Sequence, residues 1–143
     1  QPRLLMSKND PLSGEPEELN NKKNTRNLHI NTEAMDRVIR AMTAVMSSPR
    51  GTARMSGRRS AYSIAGKTGT AQVIAIAQGE EYDEDSIREE FRDHALFIAF
   101  APVENPKIAI AVVVENGGSG AGVAAPLARK VLDYFFLKAL ERA

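Results

Sequence analysis

Residues 63–76 read Ser63-Ile64-Ala65-Gly66-Lys67-Thr68-Gly69-Thr70-Ala71-Gln72-Val73-Ile74-Ala75-Ile76, and two incompatible backbones compete for them. Ala61 to Thr68 fits a permissive spelling of the phosphate-binding loop, with Ala in place of its first Gly. Val112-Val113-Val114-Glu115 even resembles the acidic strand that accompanies such loops. A phosphate loop must follow a buried strand and open a helix, so that backbone N–H groups face the phosphates. The neighbours oppose that. Met55-Ser56-Gly57-Arg58-Arg59-Ser60 is too polar for a central strand. Gly69, Thr70, Val73, Ile74 and Ile76 disfavour a helix and favour a strand. The stretch therefore predicts an extended segment over 62–76, with a nucleotide-binding domain as the alternative.

As a strand, the segment has a chemical logic. Lys67 supplies a fixed positive charge. Gly69 removes a side chain so that a substrate backbone can approach. Thr68 and Thr70 offer hydroxyls to a carboxylate, and the Thr70 backbone N–H can serve as an oxyanion donor. Such a donor is worth roughly 2.7–4 kcal/mol in acyl transfer. An ordinary edge strand with an exposed lysine carries the same letters, and the tetrapeptide alone favours that plainer reading.

The surrounding elements narrow the choice. Residues 1–30 hold Pro2, Pro11, Gly14, Pro16 and an Asn/Lys cluster, which predicts an irregular or hairpin connection. Asn31 or Thr32 can cap a helix over 32–47, with Glu33 and Asp36 in its first turn. Met35, Val38, Ile39, Met42, Val45 and Met46 recur at helical spacing, a stripe better suited to core packing than to a ligand groove. Arg50, Arg54, Arg58 and Arg59 read as a solvated basic loop rather than an anion-attracting rim. The acidic run Glu80-Glu81-Tyr82-Asp83-Glu84-Asp85 lacks the glycine and distant glutamate of a calcium loop, so it reads as a solvated loop entering a short helix over 85–92.

Residues 95–101 and 107–115 are apolar runs joined by Pro102-Val103-Glu104-Asn105-Pro106, which predicts an antiparallel hairpin over 95–115. Leu96, Ile98 and Phe100 alternate with Phe97, Ala99 and Ala101. One face is bulky and the other mostly small enough for a close helix. Neither is polar, so both require cover. A long apolar helix over 122–140 follows, with Pro126 tolerable in its first turn. Together these predict an α+β fold, an antiparallel sheet flanked by helices.

Bulk properties exclude several classes. With 43% hydrophobic and 26% charged residues the composition is globular. The net charge of +1 gives no support for nucleic-acid binding. Cys is absent, which removes disulfides and thiolate metal sites. No apolar run approaches the roughly 18 residues of a membrane span. The opening Gln1-Pro2-Arg3-Leu4-Leu5 reads as mid-protein sequence, so an excised fragment is expected.

Lys67-Thr68-Gly69-Thr70-Ala71-Gln72-Val73 resembles the third signature motif of penicillin-binding proteins. Arg92-Asp93-His94, Ala99-Phe100-Ala101-Pro102, Asn105-Pro106 and Glu115-Asn116-Gly117-Gly118 follow in the order and spacing of the class B transpeptidases of rod-shaped Gram-negative bacteria. Gly51-Thr52-Ala53 matches upstream. The resemblance implies part of the penicillin-binding-protein/serine β-lactamase-like transpeptidase fold, here the C-terminal portion of that domain over 31–143. It implies a peptidoglycan D,D-transpeptidase in which a serine attacks the D-Ala-D-Ala bond of a stem peptide, and β-lactams acylate that serine. By the same resemblance Lys67 polarises a proton-shuttling serine. Lys67, Thr68, Gly69 and Thr70 bind substrate, and the Thr70 N–H completes the oxyanion hole.

The implied partners are stem peptide, β-lactams, the rest of the transpeptidase domain and a membrane glycan polymerase. No nucleic acid, cofactor or metal is implied. The implied location is the periplasmic face of the inner membrane, with the full-length protein anchored and the fragment soluble. The family's nucleophile motif, Ser-x-x-Lys, is missing, because no serine of the chain has Lys three places on. Ser7-Lys8-Asn9 spells the second motif, Ser-x-Asn, but lies in a Pro-rich loop and reads as coincidence. The chain alone is therefore expected to be inactive.

Overall fold

A computed structural model describes the backbone of residues 7–9, 16–18 and 138–139, and residues 30–73 and 88–137 in full. The chain divides into two units, Gln1–Ile30 and Asn31–Ala143. In the first, strands β1 (Ser7–Asn9) and β2 (Pro16–Glu18) pair antiparallel, Lys8 opposite Glu17. The segment 1–30 is thus not wholly irregular: the turn formers Pro11 and Gly14 separate two short strands. Ser7-Lys8-Asn9 forms one of them.

The second unit opens with helix α1 (Thr32–Ser47). Asn31 caps it, its side-chain Oδ1 accepting the Ala34 N–H at 3.2 Å. Only Met46 of its apolar stripe is buried. Met42 and Val45 are half-buried, while Val38 remains 52% exposed. The C-terminal half of α1 therefore carries its packing. A short helix α2 (Arg54–Gly57) follows.

Strands β3 (Ala65–Ala71), β4 (His94–Ala101) and β5 (Ile108–Val114) form an antiparallel sheet in the order β3-β4-β5, leaving β3 at an edge of the described sheet. β3 is shorter than the 62–76 span. Tyr62 and Ser63 precede it, their hydroxyls engaged by Asp133 and by Glu104 of the β4–β5 turn. Residues 74–76 and the acidic run 80–85 lie outside the described residues. Where a helix over 85–92 was expected, residues 88–92 contain a single 3-10 turn, Glu89–Phe91.

After β5 the chain enters a π-helical turn (Gly120–Ala124), helix α3 (Ala125–Asp133) and a second π-helical stretch (Tyr134–Ala139). Pro126 is the second residue of α3 and directly follows the π-helical turn, whose Gly120 carbonyl accepts the Ala125 N–H. The alternation along β4 decides how these layers meet. Ala95, Phe97, Ala99 and Ala101 are buried with Ala124, Ala125, Ala128 and Leu132 of the C-terminal helical segment. Small side chains on both surfaces let helix and sheet approach closely. Phe97 and Leu132 fill the remaining space and are almost wholly buried. Each contributes about 1.5–3 kcal/mol of apolar burial.

The register corrects the expectation of one bulky and one small face: Leu96, Ile98 and Phe100 of β4 share a face with Ala109, Ala111 and Val113 of β5, and that face is less well covered. Ile98 is 52% and Val113 63% exposed. An apolar groove of about 390 Å³ runs between that face and Met42 of α1. The described residues thus leave open a face that the sequence pattern says needs covering.

Candidate active site

The site is built on β3. The register sets Lys67 opposite Ile98, Thr68 opposite Phe97, Gly69 opposite Leu96 and Thr70 opposite Ala95. With a two-residue side-chain period, Lys67 and Gly69 share one face of the strand, and Thr68 and Thr70 the other. Lys67 and Thr70 are exposed, and Thr68 and Gly69 half-buried. The Lys67 Nζ donates to the Thr68 carbonyl oxygen at 2.5 Å. The Thr68 and Thr52 hydroxyl oxygens lie 3.0 Å apart.

This backbone decides between the two readings of the opening stretch. A phosphate loop needs a helix N-terminus at Lys67, whereas the chain runs as a strand from Ala65 to Ala71.

Gly69 also has a reason inside the fold. A Cβ there would lie 3.2 Å from the Leu96 Cβ, tighter than ordinary packing. Behind the strand, Gly120 sits against the Gly69 backbone and fits only because it lacks a side chain.

Two sets of polar contacts fix the ends of β3. Before it, the Tyr62 hydroxyl donates to Asp133 Oδ1 at 2.7 Å, and Arg129 Nε donates to the same oxygen at 2.8 Å. Arg129 Nη1 also donates to the Ser56 carbonyl at 2.7 Å. The Tyr62 and Phe136 rings pack at a tilt of 39°, their centroids 4.4 Å apart. Burial, then the neighbouring Asp133, pushes the Tyr62 phenol well above its usual range. Burial tends to raise the Asp133 carboxyl, but the hydrogen bonds from Arg129 and Tyr62 and the Arg129 charge outweigh it and hold the group low. Next along the chain, the Ser63 hydroxyl donates to Glu104 Oε2 at 2.5 Å and accepts the Val103 N–H at 2.7 Å. The Ser63 hydrogen bond is the main cause holding the exposed Glu104 carboxyl below its ordinary value.

After β3, the Val73 N–H donates to Oδ1 of the buried Asp93 at 3.3 Å. The Asp93 carbonyl accepts the Gly118 N–H at 2.7 Å. Asn116 N–H donates to His94 Nδ1 at 2.9 Å, and Asn116 Nδ2 to the carbonyls of Glu90 and Arg92. Arg92-Asp93-His94 and Asn116-Gly117-Gly118, separated in sequence, thus interlock beside the end of β3. Sequence reading missed the roles of Tyr62, Asp133 and Arg129, because nothing local in those residues signals partners tens of positions away. Arg50, Arg54, Arg58 and Arg59 are exposed. Among the described residues, no cluster of acidic and histidine side chains is arranged to hold a metal ion.

The family model for the penicillin binding protein transpeptidase domain matches residues 1–133. The chain belongs to that family, whose fold its three-stranded antiparallel sheet and covering helix share in part. Within it, proteins named MrdA and solved structures of penicillin-binding protein 2 are among those the chain is most similar to. The peptidoglycan D,D-transpeptidase MrdA of Haemophilus influenzae is 45% identical over 96 residues, 67% of this chain and 15% of the relative. Pseudomonas aeruginosa PBP2, solved in complex with WCK 5153, matches 72% of this chain and 19% of its own at 50% identity, with a TM-score of 0.59. Helicobacter pylori PBP2, solved in complex with MreC, matches 77% of this chain and 19% of its own at 30% identity, with a TM-score of 0.61. The chain thus spans less than a fifth of these relatives.

Proposed function

We propose that this chain is the C-terminal portion of the transpeptidase domain of a peptidoglycan D,D-transpeptidase of the penicillin-binding protein 2 type, and that β3 is the strand against which substrate lies. The observation that carries this reading is the extended Lys67-Thr68-Gly69-Thr70 segment at an edge of the described sheet, with the exposed Lys67 ammonium on the Thr68 carbonyl and the two threonine side chains on the opposite face of the strand.

In this reading the remainder of the domain supplies the Ser-x-x-Lys nucleophile that the chain lacks. The serine oxygen attacks the carbonyl carbon between the two terminal D-alanines. The C–N bond breaks, and the proton lost by the serine ends on the departing D-alanine amine. An amine of a second stem peptide then attacks the ester, forms the cross-link and returns a proton to the serine. β-Lactams enter the first step and stop there, their ring amide taking the place of the scissile bond.

Lys67 stabilises the anion that develops on the proton-shuttling serine. Thr68 and Thr70 bind the terminal carboxylate, where each hydrogen bond to charge adds about 1.5–3 kcal/mol. The Thr70 N–H stabilises the tetrahedral oxyanion. No cofactor enters. The full-length protein would act at the periplasmic face of the inner membrane, alongside a glycan polymerase. Among the described residues no helix is long and apolar enough to cross a membrane.

The test is labelling with a fluorescent penicillin followed by mass spectrometry. The full-length protein is expected to form a stoichiometric acyl adduct, Lys67→Ala to lose it, and the 143-residue chain to form none. A stable adduct on the chain alone would overturn the assignment of the nucleophile to the missing part.

A further inference from the structure

Thr52 precedes β3 by a helix and a loop, and the match of Gly51-Thr52-Ala53 to the family assigns it no role. Its surroundings hold it firmly. Gly51 packs so closely on the end of α1 that a Cβ there would lie 2.3 Å from the Val45 carbonyl oxygen. The Gly51 N–H donates to the Ser48 carbonyl at 2.9 Å, and the Ala53 N–H to the Val45 carbonyl at 3.1 Å. Both neighbours of Thr52 are thus fastened to α1, and the hydroxyl between them lies 3.0 Å from that of Thr68.

From this we infer that Thr52 is a positioning residue for substrate, setting the direction of the Thr68 hydroxyl hydrogen; the inference rests on the transpeptidase reading above. A carboxylate only accepts, so Thr68 must donate its one hydrogen to the bound carboxylate. The Thr52–Thr68 bond must then run from the Thr52 hydroxyl to a Thr68 lone pair. Such a chain polarises the outer hydroxyl and strengthens its bond to the anion. It also removes the alternative in which the Thr68 hydrogen is turned away from the site, towards Thr52.

The test uses full-length protein carrying Thr52→Val, Thr52→Ser or Thr68→Val. The readout is acylation by benzylpenicillin and by its methyl ester, with the pre-acylation dissociation constant separated from the acylation rate constant. Thr52→Val keeps the shape of the side chain but not its hydroxyl. It is expected to weaken benzylpenicillin binding about tenfold, the lower end for one hydrogen bond to a charged group. Thr52→Ser should restore most of that loss. The ester, which offers no anion, should react with Thr52→Val as it does with the unaltered protein.

Equal losses for acid and ester in Thr52→Val would show a general structural effect and overturn the inference. So would wild-type behaviour of Thr52→Val beside an impaired Thr68→Val. Wild-type behaviour of Thr68→Val would instead sink the underlying reading of Thr68 as a carboxylate ligand.

Discussion

Gly120 lies directly behind Gly69: a Cβ on Gly120 would stand 2.4 Å from the Gly69 carbonyl oxygen and 2.6 Å from that of Leu96. Both obstacles are backbone atoms of paired strands, so no side-chain rotation relieves them. Gly120→Ala must push the π-helical turn away from the sheet or push β3 towards the substrate side. The expected cost is about 1–3 kcal/mol of stability, typical of overpacking, together with slower acylation by benzylpenicillin. Gly122→Ala is the control, since its Cβ would meet Ser119 at an ordinary 3.4 Å. Thermal unfolding and acylation rates of the two full-length variants check this. A Gly120→Ala protein indistinguishable from Gly122→Ala would contradict it.

The Asp133 cluster predicts a dependence on pH. Asp133 joins Arg129 on its own helix to Tyr62 at the entrance of β3, and the Arg129 side chain is only 17% exposed. Asp133→Asn leaves that guanidinium facing a neutral amide, an expected loss of about 1–2 kcal/mol at neutral pH. The folded-state pKa of Asp133 is lowered. Its charge-dependent contribution is therefore complete above the unfolded carboxyl value, about 3.9, and is lost as pH falls towards the folded value. Melting temperatures of wild type and Asp133→Asn should differ at pH 7 and converge below about pH 4. A gap that stays constant on acidification would mean that the charge on Asp133 does not matter.

These two relationships mark what could be read from the chain and what could not. Periodicity made α1 and the β4–β5 hairpin legible, because spacing at 3.6 or 2 residues is a local property. The extended backbone at Lys67 was legible too, from β-branched residues and a glycine that a helix would resist. The start of β3 was not. Tyr62 and Ser63 have strand-compatible side chains, and only remote partners, Asp133 and Glu104, draw them out of the ladder. The stripe on α1 showed where apolar residues point but not what covers them, and Val38 is left half exposed. In the site, Lys67 and the two threonines were visible as letters. The contacts of Thr68 with Thr52 and of Gly69 with Gly120 were not, since each joins segments far apart in sequence.

The oxyanion role proposed for Thr70 can be separated from its side chain by the geometry of the edge. The Thr68 carbonyl accepts from Lys67 Nζ, which places it on the open side of β3. In an antiparallel strand the N–H and C=O of one residue point to the same side, and that side alternates along the chain. Thr70, two residues on, thus turns its N–H to the same open edge. Proline is tolerated at an edge position whose N–H faces outward, and the preceding Gly69 is already extended, as proline requires. Thr70→Pro should therefore keep the β3–β4 ladder while removing the donor. Thr70→Ala removes the hydroxyl and keeps the donor. Acylation of full-length Thr70→Pro by benzylpenicillin is expected to be a further 10²–10³-fold slower than that of Thr70→Ala, about the cost of one oxyanion donor, with melting temperatures close to each other. Equal acylation rates in the two well-folded variants would move the oxyanion hole away from Thr70.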